Sequence, residues 1–164
     1  MELIQNELKV ALQHQQSHEE YNSRLYLSIA GFLRNLGLDR LSEKFFDQYK
    51  EEAAHAIMIF DLLTDLGASV SMKALGSPDF PIEIPMDIAK RYLEREIETT
   101  NSLNEIKKMA EQYSCPVVEE RMREMISLQQ TEYKEATAFM DIVSLFSDWK
   151  SLALWSEGNG HVCN

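Results

Sequence analysis

Six residues of metal-ligating type stand at helical spacing in this chain of 164 residues: Glu19, Glu52, His55, Glu96, Gln129 and Glu132. Glu52 and His55 are three apart, as are Gln129 and Glu132, while Glu19 and Glu96 each interrupt an apolar stripe. Residues three apart on an α-helix share one face, so each pair can clamp a common ion. The four carboxylates carry four negative charges, which match two Fe2+ ions, and His55 and Gln129 complete the shell. A carboxylate-rich set with a little imidazole suits iron or manganese better than copper or zinc. The pattern predicts two metal ions held inside a helix bundle.

For any one of these residues the simpler account is a carboxylate reaching solvent or an ordinary hydrogen-bonded histidine. That account fails jointly, because the ligand types recur once per helix at matching mid-helix depth. Burying a carboxylate without a partner costs several kcal/mol, and four together repel one another. Other candidates are weaker. Glu94 and Glu98 flank Glu96 but point about 200° away on the helical wheel, toward solvent. Glu51 could touch a peripheral ion, and His14 and His18, four apart, could chelate a surface ion. The eight methionines read as core filler.

Four long helices must position these groups. The first runs from Glu2 to Leu36, with Leu8, Leu12, Glu19, Tyr26, Ile29 and Leu33 on one stripe and Gly37 as a left-handed stop. The second spans Leu38 to Leu66, its inner face carrying Leu41, Phe45, Glu52, His55, Ile59 and Leu62, and Gly67 ends it. The third runs from Met86 to Tyr113 through Tyr92, Glu96, Thr99 and Leu103. After a corner at Ser114, Cys115 and Pro116, the fourth reaches Phe146 through Met122, Met125, Gln129, Glu132 and Phe139. Between the second and third helices, Gly67 to Pro85 holds Gly76, Pro78, Pro81 and Pro85 and shows no period. At about 3.3 Å per residue, such a segment can run the length of a bundle and start the third helix parallel to the second. Ser147 and Asp148 could cap a short fifth helix, Trp149 to Ser156, before a Gly-rich tail over 158–164.

Composition agrees with an all-α domain, residues 1–146, followed by a short helix and tail over 147–164. Hydrophobic residues make up 45%, enough for one sizeable core, and six glycines and four prolines are too few for a turn-rich β fold. The net charge of −11 repels phosphate backbones and argues against nucleic acid as a partner. No apolar run approaches the roughly 20 residues of a membrane span, and the start is polar, so a cytoplasmic protein with no membrane partner is expected. Cys115 and Cys163 are the only cysteines and read as two free thiols.

The stretches from Glu19 to Tyr26 and from Phe45 to His55 closely resemble the ferritin family, and the similarity covers about residues 3 to 146. The resemblance implies a ferritin-like four-helix bundle with one long crossover, between the second and third helices. By motif match, Glu19, Glu52 and His55 correspond to the first iron site of a ferroxidase centre. Glu96, Gln129 and Glu132, with Glu52 bridging, correspond to the second, and Tyr26 matches the tyrosine beside the centre. Gln129-x-x-Glu132 replaces the Glu-x-x-His of bacterioferritins and rubrerythrins, which implies a non-haem, bacterial-type ferritin. Ala53 stands where bacterioferritins carry a haem-ligand methionine, so no haem is expected. A third iron site of bacterial ferritins would fall on Glu51, Leu128, Thr131 and Glu132, two of which cannot bind iron.

The resemblance therefore implies iron storage and detoxification, with two Fe per subunit oxidised from Fe2+ to Fe3+ by O2 or H2O2 and mineral kept in a homo-oligomeric cage of 24 subunits. Glu119 and Glu120 resemble threefold-channel acids, although Arg121 and Arg123 sit beside them. The C-terminal segment lacks the usual fifth-helix sequence and motivates an alternative, a small di-iron oxidase or peroxidase without a cage. A DNA-protecting miniferritin fits less well. There is no basic tail, and the ligands lie within one bundle rather than between subunits.

Overall fold

The computed structural model describes residues 3–158. Five helices are present among them: α1 (Asn6–Asn35), α2 (Asp39–Asp65), α3 (Pro85–Gln112), α4 (Pro116–Val143) and α5 (Trp149–Gly158). α1 packs antiparallel along α2 and α3 antiparallel along α4. The two hairpins close on each other through α1 with α3 and α2 with α4. No strand occurs among the described residues. The all-helical bundle with one long crossover expected from the periodicity is the fold observed.

Three helix ends share one device. Gly37 and Gly67 adopt φ values of 75° and 68°. In each case the next two amide groups turn back to the last turn. Gly37 N donates to Arg34 O and Leu38 N to Leu33 O, both at 3.0 Å, and Gly67 N and Ala68 N repeat the pattern on Thr64 O and Leu63 O. This satisfies carbonyls that a helix end otherwise leaves open. At the α3–α4 corner the same geometry falls on Ser114, with φ 54° and Cys115 N donating to Ala110 O at 2.9 Å. Pro116 then opens α4, where a missing N–H costs nothing. α3 begins at Pro85, and the Asp87 carboxylate accepts from the Glu83 and Ile84 amides at 2.9 and 3.0 Å.

Helix bounds differ from expectation by three residues or more at two ends. α1 starts at Asn6 rather than Glu2, because the Leu3 amide donates instead to Leu66 O, 3.0 Å away, and seals the end of α2. α4 stops at Val143 rather than Phe146, where Leu145 and Phe146 tighten into three-residue turns on Ile142 O and Val143 O. Asp148 caps α5 by accepting from Ser151 N at 2.9 Å. α5 then lies against the α2 end of the bundle, with Leu152 buried and Trp149 Nε1 donating to Glu83 O. The Gly-rich tail from 159 onward lies outside the described residues.

The crossover runs the length of α1. Gln13 Nε2 donates to Ser69 O at 2.7 Å near one end, and Ser28 Oγ donates to Asp79 Oδ1 at 2.8 Å near the other. Along the bundle axis the core is split. One apolar cluster gathers Tyr26, Ile29, Leu33, Phe45, Tyr92 and Phe139, and a second gathers Leu8, Leu12, Ile59, Leu62, Leu103 and Met122. Between them lies a layer of buried polar side chains.

Candidate metal centre

That layer contains all six ligand-type residues, one set per helix. Glu19, Glu52 and Glu96 are fully buried, and His55, Gln129 and Glu132 nearly so. Their positions follow from the periodicity: each replaces an apolar residue on the stripe that faces the bundle axis. Glu19, Glu52 and His55 each offer a ligand atom within 4.8 Å of the others. Glu52, Glu96 and Glu132 do the same, so Glu52 is common to both groups. His55 Nδ1 lies 3.9 Å from Glu52 Oε2 and 3.6 Å from Glu132 Oε1, too far for a hydrogen bond.

The hydrogen bonds inside the layer leave a gap. Glu19 Oε2, both oxygens of Glu52 and Glu132 Oε2 are buried with no donor in reach. Glu19 Oε1 accepts from Gln15 Nε2 at 2.7 Å. Glu96, by contrast, is held on both oxygens: the Tyr26 hydroxyl donates to Oε1, and Gln129 Nε2 donates to Oε2 at 2.6 Å. Buried acceptors without donors are rare in native proteins and call for a proton or a cation. A pair of divalent ions fits this donor set, which is oxygen-rich, anionic and open where the orphaned oxygens converge.

Electrostatics state the same need. Burial above all, then the neighbouring Glu52, holds the Glu19 carboxyl well above the usual carboxylate range. Burial does the same to Glu52, with Glu96 and Glu132 adding repulsion. Glu132 is pushed up to about 8, chiefly by burial. Glu96 is raised by burial, against the pull of its Tyr26 and Gln129 hydrogen bonds. Tyr26, fully buried beside Glu96, has its hydroxyl held far above the ordinary phenol and stays a donor. Without cations, the site binds protons.

The other sequence candidates separate from this layer. Glu94 and Glu98 are exposed and pair with Arg91 and Arg95 on their own helix. His14 and His18 do not form a chelate. His14 faces Lys73 from the crossover, whereas His18 turns between the hairpins to Thr99 Oγ1 at 2.7 Å and Arg95 at 2.8 Å. Burial and the Arg95 charge lower His18 to about 3, so it stays neutral. Glu51 lines a cleft beside the layer with His55, Leu128, Thr131, Glu132 and Glu135. Glu119 and Glu120 both face Arg123 of their own helix.

Sequence reasoning passed over the polar groups that stand beside the six ligand-type residues, of which Gln15 alone bonds one of them directly. Gln15 precedes Glu19 by one turn, and Gln48 precedes Glu52 by one turn. Gln48 accepts from the Tyr92 hydroxyl at 2.9 Å and donates to Glu51 at 2.8 Å. Asn22, one turn after Glu19, accepts from Arg95 Nε at 2.7 Å and donates to Thr99. The available signal was their spacing, since each lies three or four positions from a ligand and so shares its face.

Comparisons with known proteins point one way. Bacterial non-heme ferritin from Staphylococcus aureus is 24% identical over 110 residues, 67% of this chain and 66% of that protein, so the chain matches just under two thirds of its length. The Staphylococcus haemolyticus protein of the same name is 22% identical over 109 residues, again 66% of its length. Among solved structures, an open pore ferritin from Archaeoglobus fulgidus superposes with a TM-score of 0.89 at 24% identity, covering 100% of both chains. Chlorobium tepidum ferritin does so at 0.85 and 18% identity, covering 98% of this chain and 99% of the other. The model of the ferritin-like domain matches residues 9–146, from early α1 to just beyond α4, and the chain belongs to the ferritin family.

Proposed function

We propose that this chain stores and detoxifies iron by oxidising Fe2+ to Fe3+ at a pair of positions within one subunit. The observation that carries the reading is the set of buried carboxylate oxygens without donors, converging from three helices around Glu52, with Glu96 of the fourth beside them. Glu19, Glu52 and His55 would hold one ion. Glu52, Glu96 and Glu132 would hold the second, with Gln129 completing its shell. Iron here is the substrate and the source of the electrons, while the protein supplies geometry and charge. Two ferrous ions give one electron each, and dioxygen takes the pair with two protons to leave hydrogen peroxide, itself able to take a second pair.

The chain's own residues prepare that step. Fe2+ binding releases the protons that burial keeps on Glu19, Glu52 and Glu132, so binding tightens as pH rises. Tyr26 and Gln129 fix the Glu96 carboxylate before any ion arrives. No haem is expected, since Ala53 offers no axial ligand. Fe3+ passes to a mineral in a homo-oligomeric cage, for which the long helices supply most of the surface. The test combines size and activity on one sample. A large assembly that oxidises about two Fe2+ per subunit in a fast phase supports the reading. A monomer or dimer with that activity would point to a small di-iron oxidase, and absence of oxidation would refute both.

A further inference from the structure

α4 separates two clefts of opposite chemistry that both reach the carboxylate layer. On its α2 flank, a cleft of about 230 Å³ carries Glu51, His55, Glu132 and Glu135. On its α3 flank, a cleft of about 300 Å³ is formed by Thr100 and Asn104 of α3 and by Ile126, Gln129, Gln130 and Tyr133 of α4. The second wall is mostly carbon because its polar groups are used elsewhere. Thr100 Oγ1 donates to Glu96 O at 2.7 Å, and Asn104 Nδ2 donates to Thr100 O at 2.8 Å. Gln129 turns its amide inward onto Glu96 at 2.6 Å. With those groups engaged, the surface that lines the cleft is mostly apolar, and Ile126 and Tyr133 are the large apolar side chains along it.

A dication gains nothing on such a wall, and Lys134 at the same cleft repels it. A small, neutral, apolar molecule has the opposite preference, since apolar cavities stay dry and take up gases such as xenon. The inner end of the cleft is Gln129, whose amide touches a carboxylate assigned above to the second ion. We propose that dioxygen reaches the metal pair through this α3–α4 cleft, on the side of α4 away from the acidic flank. The inference rests on the oxidation proposed above, in which dioxygen accepts the electron pair.

Narrowing the cleft without touching a ligand tests it. Ile126→Trp fills the wall, and Gln130→Trp does so from an exposed position that leaves the core alone. Lys108→Trp, on an exposed part of α3, serves as the control. Stopped-flow oxidation at varied dioxygen should show the dependence on dioxygen weakened roughly tenfold in both cleft variants and unchanged in the control. Anaerobic Co2+ titration should show equal binding in all four proteins. Metal-free crystals under xenon pressure should hold xenon in the unmodified cleft and none in Ile126→Trp. Identical dioxygen dependence in all four proteins, or no xenon in the unmodified cleft, overturns the route while leaving the ferroxidase reading intact. An unmodified protein that binds Co2+ yet never oxidises Fe2+ overturns that earlier reading, and the route with it.

Discussion

The two halves of the carboxylate layer are built differently. Around Glu96 the protein supplies its own partners, Tyr26 on one oxygen and Gln129 on the other. Around Glu52 it supplies none, and Glu19 has only Gln15. Glu96 is thus set in place in advance, whereas under the proposed function Glu52 would gain its first strong partners from the ions themselves. Glu52 is also the residue common to both ligand groups. A bridging carboxylate held by hydrogen bonds would have to give them up for each new ion. One without them can turn between two ions at little cost.

The sharpest way to break this contrast is Glu52→Ala. Removing the shared ligand should abolish the fast oxidation of Fe2+ and lower affinity at both positions by more than about 100-fold, as read by stopped-flow absorbance and anaerobic Co2+ titration. A fast phase equal to that of the unmodified protein would show that Glu52 bridges nothing.

Acidity offers the next test. Carboxyls raised by burial favour the folded state while protonated. That contribution is complete below the ordinary value of 4.5 and is lost as pH rises, through about 8 for Glu132, with Glu19 and Glu52 shifted in the same direction. The metal-free protein should therefore melt at progressively lower temperature from about pH 5 to pH 8. Added Mn2+ should restore the loss most strongly at the alkaline end. A metal-free melting temperature that climbs over this range would contradict the buried, proton-binding layer.

Smaller effects should separate the halves. Glu19→Gln removes the cost of keeping a buried carboxyl protonated against solution, so at about pH 8 it should raise the metal-free melting temperature by a few degrees. Glu96→Gln turns an amide donor toward Tyr26 or Gln129 and should give no such gain, although both variants should blunt the response to metal. Equal gains would mean that the two carboxylates are equally unsupported. Of similar size and opposite sign is Tyr26→Phe, which strips one donor from a buried oxygen and should cost about 1–3 kcal/mol of metal-free stability in urea unfolding.

The stripes that carry Glu19, Glu52, Glu96 and Glu132 were readable because helical period is a property of one segment at a time. Gly37 and Gly67 were readable for the same reason, as left-handed stops at the ends of those stripes. The polar groups beside the carboxylates were legible only as positions, not as contacts. Whether His18 faces solvent or Arg95 depends on which helix lies opposite, and no spacing within α1 reports that. Ser114 hides the same device that glycine advertises, because the corner accepts a strained serine to close α3. The α3–α4 cleft emerged only from side chains that spend their polar atoms on their own helices.

Each helical hairpin carries half of the layer: Glu19, Glu52 and His55 on α1 and α2, then Glu96, Gln129 and Glu132 on α3 and α4. The contacts within a hairpin join nearby stretches of chain, whereas those between hairpins wait on closure of the crossover loop. Docking is thus the folding step that crowds the four acids together, and the charge on them works against it. Refolding without metal should slow as pH rises, and a divalent cation should act on the rate of assembly as well as on the finished fold. In a cell short of iron, newly made chains would linger longest as two formed but separate halves, with both apolar clusters open to their neighbours.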